Sequence, residues 1–180
     1  MVVITYQQLL AIHIHDFERR ALVTSVIIPS DLKSLRKYAF SNTSVTYVVV
    51  AKHITKIGHG CFNNCLESLL LEVTYEQLLT IDLFDDQRKA ITSVYIDDLV
   101  TSISYNSFCE TSITSIYVPP SVREIQAGAF AYAYELSSIH LSEGLQSICS
   151  FAFGFCPISC LVIPSTVRHI GAQAVSQLKV

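Results

Sequence analysis

Six spans of the chain place large apolar residues at offsets 0, 3, 5, 9, 12 and 17 from their starts. The first two read Val23, Val26, Ile28, Leu32, Leu35, Phe40 and Val45, Val48, Val50, Ile54, Ile57, Phe62. The next two read Ile91, Val94, Ile96, Val100, Ile103, Phe108 and Ile113, Ile116, Val118, Val122, Ile125, Phe130. The last two read Leu136, Ile139, Leu141, Leu145, Ile148, Phe153 and Ile158, Leu161, Ile163, Val167, Ile170, Val175. In a chain that is 51% hydrophobic such a template would fill about half the time, yet every position is occupied. A repeat of 22 to 23 residues is too short to close a core of its own, so it must stack on neighbouring copies as a solenoid.

The interruption after Cys65 obeys the template too, as Leu66, Leu69, Leu71, Tyr75, Leu78 and Leu83, and the N-terminus fits as a partial copy with Val2, Tyr6, Leu9 and Ile14 at offsets 5, 9, 12 and 17. These two irregular coils match each other, Ile4–Ala21 paralleling Val73–Ala90. The expected architecture is one β-rich domain over residues 1–180, with about seven full coils and one partial N-terminal coil. Irregular coils occupy 1–22 and 66–90, and regular coils 23–65 and 91–180. Thr5 with Gln8, and Thr74 with Gln77, have capping-box spacing, which predicts a short helix in each irregular coil.

The regular coils carry the string I-x-[IV]-P-x-S-[VL]-x-x-I-x-x-x-A-F-x-x-C, seen best in Ser115–Ala133 and Leu161–Val175. It resembles the BspA-type leucine-rich repeat, strongly over Val23–Cys65 and Ile91–Val180. Asp97 stands where the pattern has a strand-ending proline, Val175 replaces the phenylalanine, and the pattern's cysteine appears only as Cys65 and Cys156. The resemblance implies a parallel sheet on one face, a protein-binding role, no enzyme activity and no cofactor. Bacterial members of that family imply a surface adhesin that binds host proteins as the alternative. By analogy with other leucine-rich-repeat classes, a signalling enzyme such as a phosphatase is a candidate partner.

Positions 2 to 6 of each coil alternate as a short strand, with offsets 3 and 5 inward. Offset 4 then faces out as Ile27, Val49, Leu70, Tyr95, Tyr117, His140 and Val162, and at offset 2 Tyr47 joins a row otherwise made of serines and Cys160. This sheet face is the first candidate protein-binding site, since exposed aromatics supply contact area at low entropic cost. The charged tails of the irregular coils form the second candidate, an edge built from Asp16, Glu18, Arg19 and Arg20 with Asp85, Asp86, Arg88 and Lys89. A third reading is a self-assembling structural protein, a homo-oligomer joined through apolar solenoid ends.

A net charge of −3 with scattered cations gives no electrostatic footprint for nucleic acid. Gly144–Val167 is uncharged, but Pro157, Pro164 and the repeat register argue against a membrane span. With no basic leader at the N-terminus, the expected location is the cytoplasm, or the membrane surface through a partner. Cys61 with Cys65, and Cys156 with Cys160, have CxxxC spacing, with Cys149 near the second pair. However, Cys61 takes the slot of Ala39, Ala129, Ala152 and Ala174, so small buried thiols account for the pattern and no metal is expected. His13 and His15 have no matching carboxylate or cysteine set, and no hydrolase, phosphate-loop or zinc-protease motif occurs.

Overall fold

The computed structural model describes residues 2–65, 69–82 and 86–175. The chain forms two compact units, Met1–Ala90 and Ile91–Val180. In the second unit each coil but the last begins with a strand whose residues alternate between core and solvent. Ile91–Tyr95, Ser115–Val118 and Ser138–Leu141 are such strands, and the last two run parallel with Tyr117 opposite His140. Pro119 follows the second of these, and the chain then turns through a Val122 amide to Pro119 carbonyl bond. The same turn recurs after Pro29 and Pro164. Where Asp97 replaces the proline, its carboxylate accepts the Leu99 amide at 3.0 Å, so an Asx turn supplies what the fixed proline φ supplies elsewhere.

A second parallel ladder lies past this turn, beyond the single sheet expected. Ser102–Ile103, Glu124–Ile125, Ser147–Ile148 and His169–Ile170 pair in chain order, with Ile103, Ile125 and Ile148 buried under the sheet. In the first unit Ser34–Leu35 and Lys56–Ile57 pair the same way. A third ladder runs along the corner that carries the Ala-Phe pair. There the Phe130 amide donates to Ala152 in the next coil, the Tyr132 amide to Gly154, and Phe40 to Cys61. The corner is held by left-handed residues at offsets 15 and 19: Tyr38, Gly60, Asn106, Gly128, Phe151 and Gln173 at the first, and Asn42, Asn64, Glu110, Tyr132 and Phe155 at the second. Each non-glycine residue there costs roughly 1 to 2 kcal/mol.

Inside, the corner phenylalanines form the expected columns within each unit. Phe108 stacks on Phe130 at 4.5 Å and Phe130 on Phe153 at 5.4 Å, while Phe40 stacks on Phe62 at 5.0 Å. All six template residues of the Val45 and Ile113 coils are buried. The final coil departs from the template: residues 161–163 form no strand, and Ile170, expected inside, is 47% exposed because no described strand pairs beyond its own.

The irregular coils depart more. Both capping boxes form, starting helices α1 (Tyr6–Ala11) and, in the second irregular coil, Tyr75–Leu78. The parallel pairing places Ile4 opposite Val26 and Val3 opposite Ser25, so Ile4 and Tyr6, rather than Val2, hold the inward places. Likewise Leu70 pairs with Tyr47 and Leu71 with Val48, two residues off the expected register. A helix advances about 1.5 Å per residue and a strand about 3.3 Å, so a constant offset cannot be carried through a coil that contains both.

Side chains in these coils take over hydrogen bonds that backbone makes elsewhere. The Gln87 carbonyl accepts the Phe62 amide, which stands where the Phe40 amide meets Cys61 one coil earlier. Gln77 donates to Val50, Ala51 and Ile54. The Tyr6 hydroxyl accepts the Arg36 amide at 2.8 Å, and burial pushes its phenol up.

Candidate functional site

The outward residues of the first strands are exposed in each unit, Leu70 at 46% with Ile27, Tyr47 and Val49 in the first, and Val162 at 75% with Tyr95, Tyr117 and His140 in the second. Their strand neighbours Val48, Leu71, Ile116 and Val118 are buried, because successive side chains of a strand face opposite ways. In the second unit Tyr117 and His140 lie in cross-strand register with rings 5.2 Å apart and 13° from parallel, beside the exposed serines Ser115 and Ser138. Val162 keeps its exposure but belongs to no strand.

In the first unit the register shift rearranges the row. Leu70 stands beside Tyr47, and Glu72, absent from the sequence reading, stands beside Val49. A hydrogen bond to the Glu72 carboxylate holds the Tyr47 phenol above its usual range. This part of the face is therefore a tyrosine–carboxylate pair among aliphatic residues rather than an apolar row. Ser68 of the expected hydroxyl row lies outside the described residues.

The charged edge is corrected. Arg20 and Arg88 are both 2% exposed, so neither can meet a partner at the surface. The Arg20 guanidinium is spent on backbone carbonyls, donating to Ser41 at 2.6 Å, Ile12 at 3.2 Å, Tyr38 at 3.3 Å and Ala39. Burial pulls its pKa down. Arg88 donates to Ile81 at 3.2 Å. The two are not equivalent positions, since the alignment of the irregular coils pairs Arg19 with Arg88 and Arg20 with Lys89. Asp16 caps α2 (Phe17–Ala21), accepting the Arg19 amide and pairing with its side chain at 3.4 Å. Glu18 is exposed, and Asp86 bonds Lys89 at 3.1 Å on the surface. Asp85 lies outside the described residues. Among the described residues this edge shows two separate solvated ion pairs, each worth well under about 1 kcal/mol.

None of the six cysteines forms a disulfide. Cys65 and Cys156 donate to the Phe40 and Phe130 carbonyls at 3.1 and 3.0 Å, as the Thr43 and Thr111 hydroxyls do within their own coils. Burial raises the Cys65 thiol and pushes Cys156 up to about 12, which keeps it protonated and unreactive. Alkylation of the folded protein at neutral pH should therefore label exposed Cys160 and leave Cys61 and Cys156 untouched until denaturant is added, as peptide mass spectrometry would show. Among the described residues no group of three His, Cys, Asp or Glu side chains is placed to hold a metal ion, and no helix is long and apolar enough to cross a membrane. Sequence reasoning also missed a cleft of about 470 Å³ in the first unit, lined by Ile14, His15, Phe17, Tyr38, Asn42 and Asn64.

With the strands, turns and corners of the regular coils placed, the pattern of the BspA type leucine rich repeat region matches residues 2–82 and 82–179. The chain belongs to that family. A leucine rich cell surface protein of Faecalibacterium prausnitzii A2-165 is similar to this BspA-type chain at a TM-score of 0.50 and 23% identity, over 79% of this chain and 40% of that one. A leucine-rich repeat protein of Bacteroides ovatus ATCC 8483 gives 0.47 and 20%, over 87% and 42%. A T. pallidum leucine rich repeat protein gives 0.48 and 19%, over 82% and 69%. The chain thus spans about two fifths of the length of the first two, and the likeness to the F. prausnitzii protein shows the fold alone. No curated protein sequence matches it significantly.

Proposed function

We infer that the chain is a noncatalytic repeat scaffold, acting in the cytoplasm, that binds another protein through the outward faces of its first strands. The observation that carries this reading is the exposure of Tyr47, Tyr95 and Tyr117 on strands whose alternate residues turn toward the core. Rigid rings on a preformed ladder offer contact area without a large entropy cost, and Glu72 and His140 add polar partners within the same rows.

The test is charge reversal. Tyr95→Glu with Tyr117→Glu should leave the fold intact, because both side chains already stand in solvent. It should also cut recovery of the native partner, captured on the purified chain and identified by mass spectrometry, at least about tenfold. Unchanged recovery and unchanged solubility would reduce the face to scaffolding. A second reading, a surface adhesin, draws support from the cell surface protein of F. prausnitzii that shares the fold. It requires export, so cell fractionation that places the chain wholly in the cytosol removes it.

A further inference from the structure

We propose that the left-handed corner of the second unit is a separate docking surface that takes an arginine- or lysine-rich segment of a partner protein. The first observation is conformational. Offsets 15 and 19 are suited to glycine and asparagine, and Gly60, Gly128, Asn42, Asn64 and Asn106 fill them in that way. Tyr132, Phe151 and Phe155 instead hold φ of 61°, 57° and 63°. None is needed in the core, since all three are more than two-fifths exposed. Strained residues whose side chains stand at the surface rather than in the core are explained by what they present outside.

The second observation is arrangement. Tyr132 and Phe155 lie in adjacent coils with rings 4.9 Å apart and 12° from parallel, and exposed Tyr134 meets Tyr132 edge-on at 6.0 Å. The Phe108, Phe130, Phe153 column fixes the coils in register, so Glu110, two residues past Phe108, continues the line of Tyr132 and Phe155. Glu135 adjoins Tyr134 in the chain, and both carboxylates are exposed.

The third observation is charge. No lysine or arginine occurs in residues 104–112, 126–135 or 149–157, the segments that build this corner. The described arginines of the unit, Arg123 and Arg168, precede the short second strands, and Arg123 donates to the Gly144 carbonyl at 2.9 Å. Aromatic faces and two uncompensated carboxylates give a field of one sign. A guanidinium reaching Glu110 would lie against the Tyr132 ring, combining an ion pair with a cation–π contact. An apolar partner, or a second copy of the chain, would instead have to desolvate Glu110 and Glu135 without replacing their hydration.

The probe is a fluorescently labelled hexa-arginine peptide, followed by anisotropy against the whole chain, with hexa-glutamate as control. Hexa-arginine should bind, more weakly as salt rises, and hexa-glutamate should not. Tyr132→Asn with Phe155→Asn should weaken binding roughly five- to tenfold while thermal stability holds or rises, because asparagine suits the left-handed corner. Glu110→Gln with Glu135→Gln should weaken it comparably. Tyr117→Glu, on the sheet face, should leave it unchanged, so this surface and the sheet face fail independently. Absence of hexa-arginine binding overturns the proposal. So does full affinity in the asparagine double variant, which would mean that net charge alone attracts the peptide. Self-association lost in that variant, with no peptide binding, would mark an interface between copies instead.

Discussion

Replacing Arg20 with alanine should destabilise the first unit by about 3 to 5 kcal/mol, the scale of removing one member from a buried charged network. The size follows from what the guanidinium does. In inner coils the corner carbonyls at offsets 16 and 18 accept amides from the coil before, as Cys61 accepts from Phe40 and Asn63 from Asn42. The equivalent carbonyls of the Val23 coil are those of Ala39 and Ser41, and Arg20 donates to both. It also reaches the end of α1, donating to the Ile12 carbonyl and, at 3.5 Å, sharing the Leu9 carbonyl with the Ile12 amide. One planar fork therefore replaces a missing row of backbone donors. Arg20→Lys should recover only part of the loss, because an ammonium is a point charge with no fork. Urea unfolding followed by circular dichroism measures it, and a shift under about 1 kcal/mol for the alanine variant would contradict the capping role.

Phe130→Ala should cost the second unit about 3 to 5 kcal/mol from the cavity left in a close-packed interior. Losing two stacked ring contacts adds roughly 0.5 to 1.5 kcal/mol for each. Phe130 is fully buried between Phe108 and Phe153. In a repeat protein stability is carried by nearest-neighbour interfaces, so the cavity should also uncouple the coils on either side. Hydrogen exchange should then quicken around Phe108 and Phe153 as well as locally. Phe130→Leu should retain more than half of the stability. A local effect with unaltered exchange in both neighbours would mean that the column does not transmit coupling.

The regular coils were legible because strand alternation fixes which side of each residue meets the core, and that rule needs no knowledge of distant contacts. It accounts for the buried Ile116 and Val118 and for the exposed Tyr117 between them. The second ladder was not legible, since two residues such as Glu124–Ile125 are too few to show a period. The corner had a signal in Gly60, Gly128 and the asparagines at 42, 64 and 106, which was obscured where tyrosine and phenylalanine hold the same conformation. An inward turn accompanies the small residue before each corner phenylalanine, Ala39, Cys61, Ser107, Ala129 and Ala152. The left-handed residues on either side of the Ala-Phe pair make it.

The irregular coils failed for a different reason. Composition marks Arg20 and Arg88 as surface residues, and only the fold brings carbonyls to them: those of Tyr38, Ala39 and Ser41 to Arg20, and that of Ile81 to Arg88. The displacement of Leu70 to Tyr47 likewise depends on a strand passing into a helix at Thr74, which no fixed spacing encodes.

The seated guanidinium of Arg20 has one more effect. A row of open carbonyls is a template on which another molecule can lay down its own amides and start a fibre. With Ala39 and Ser41 already occupied, an incoming copy would first have to evict a buried cation before its own amides could reach them.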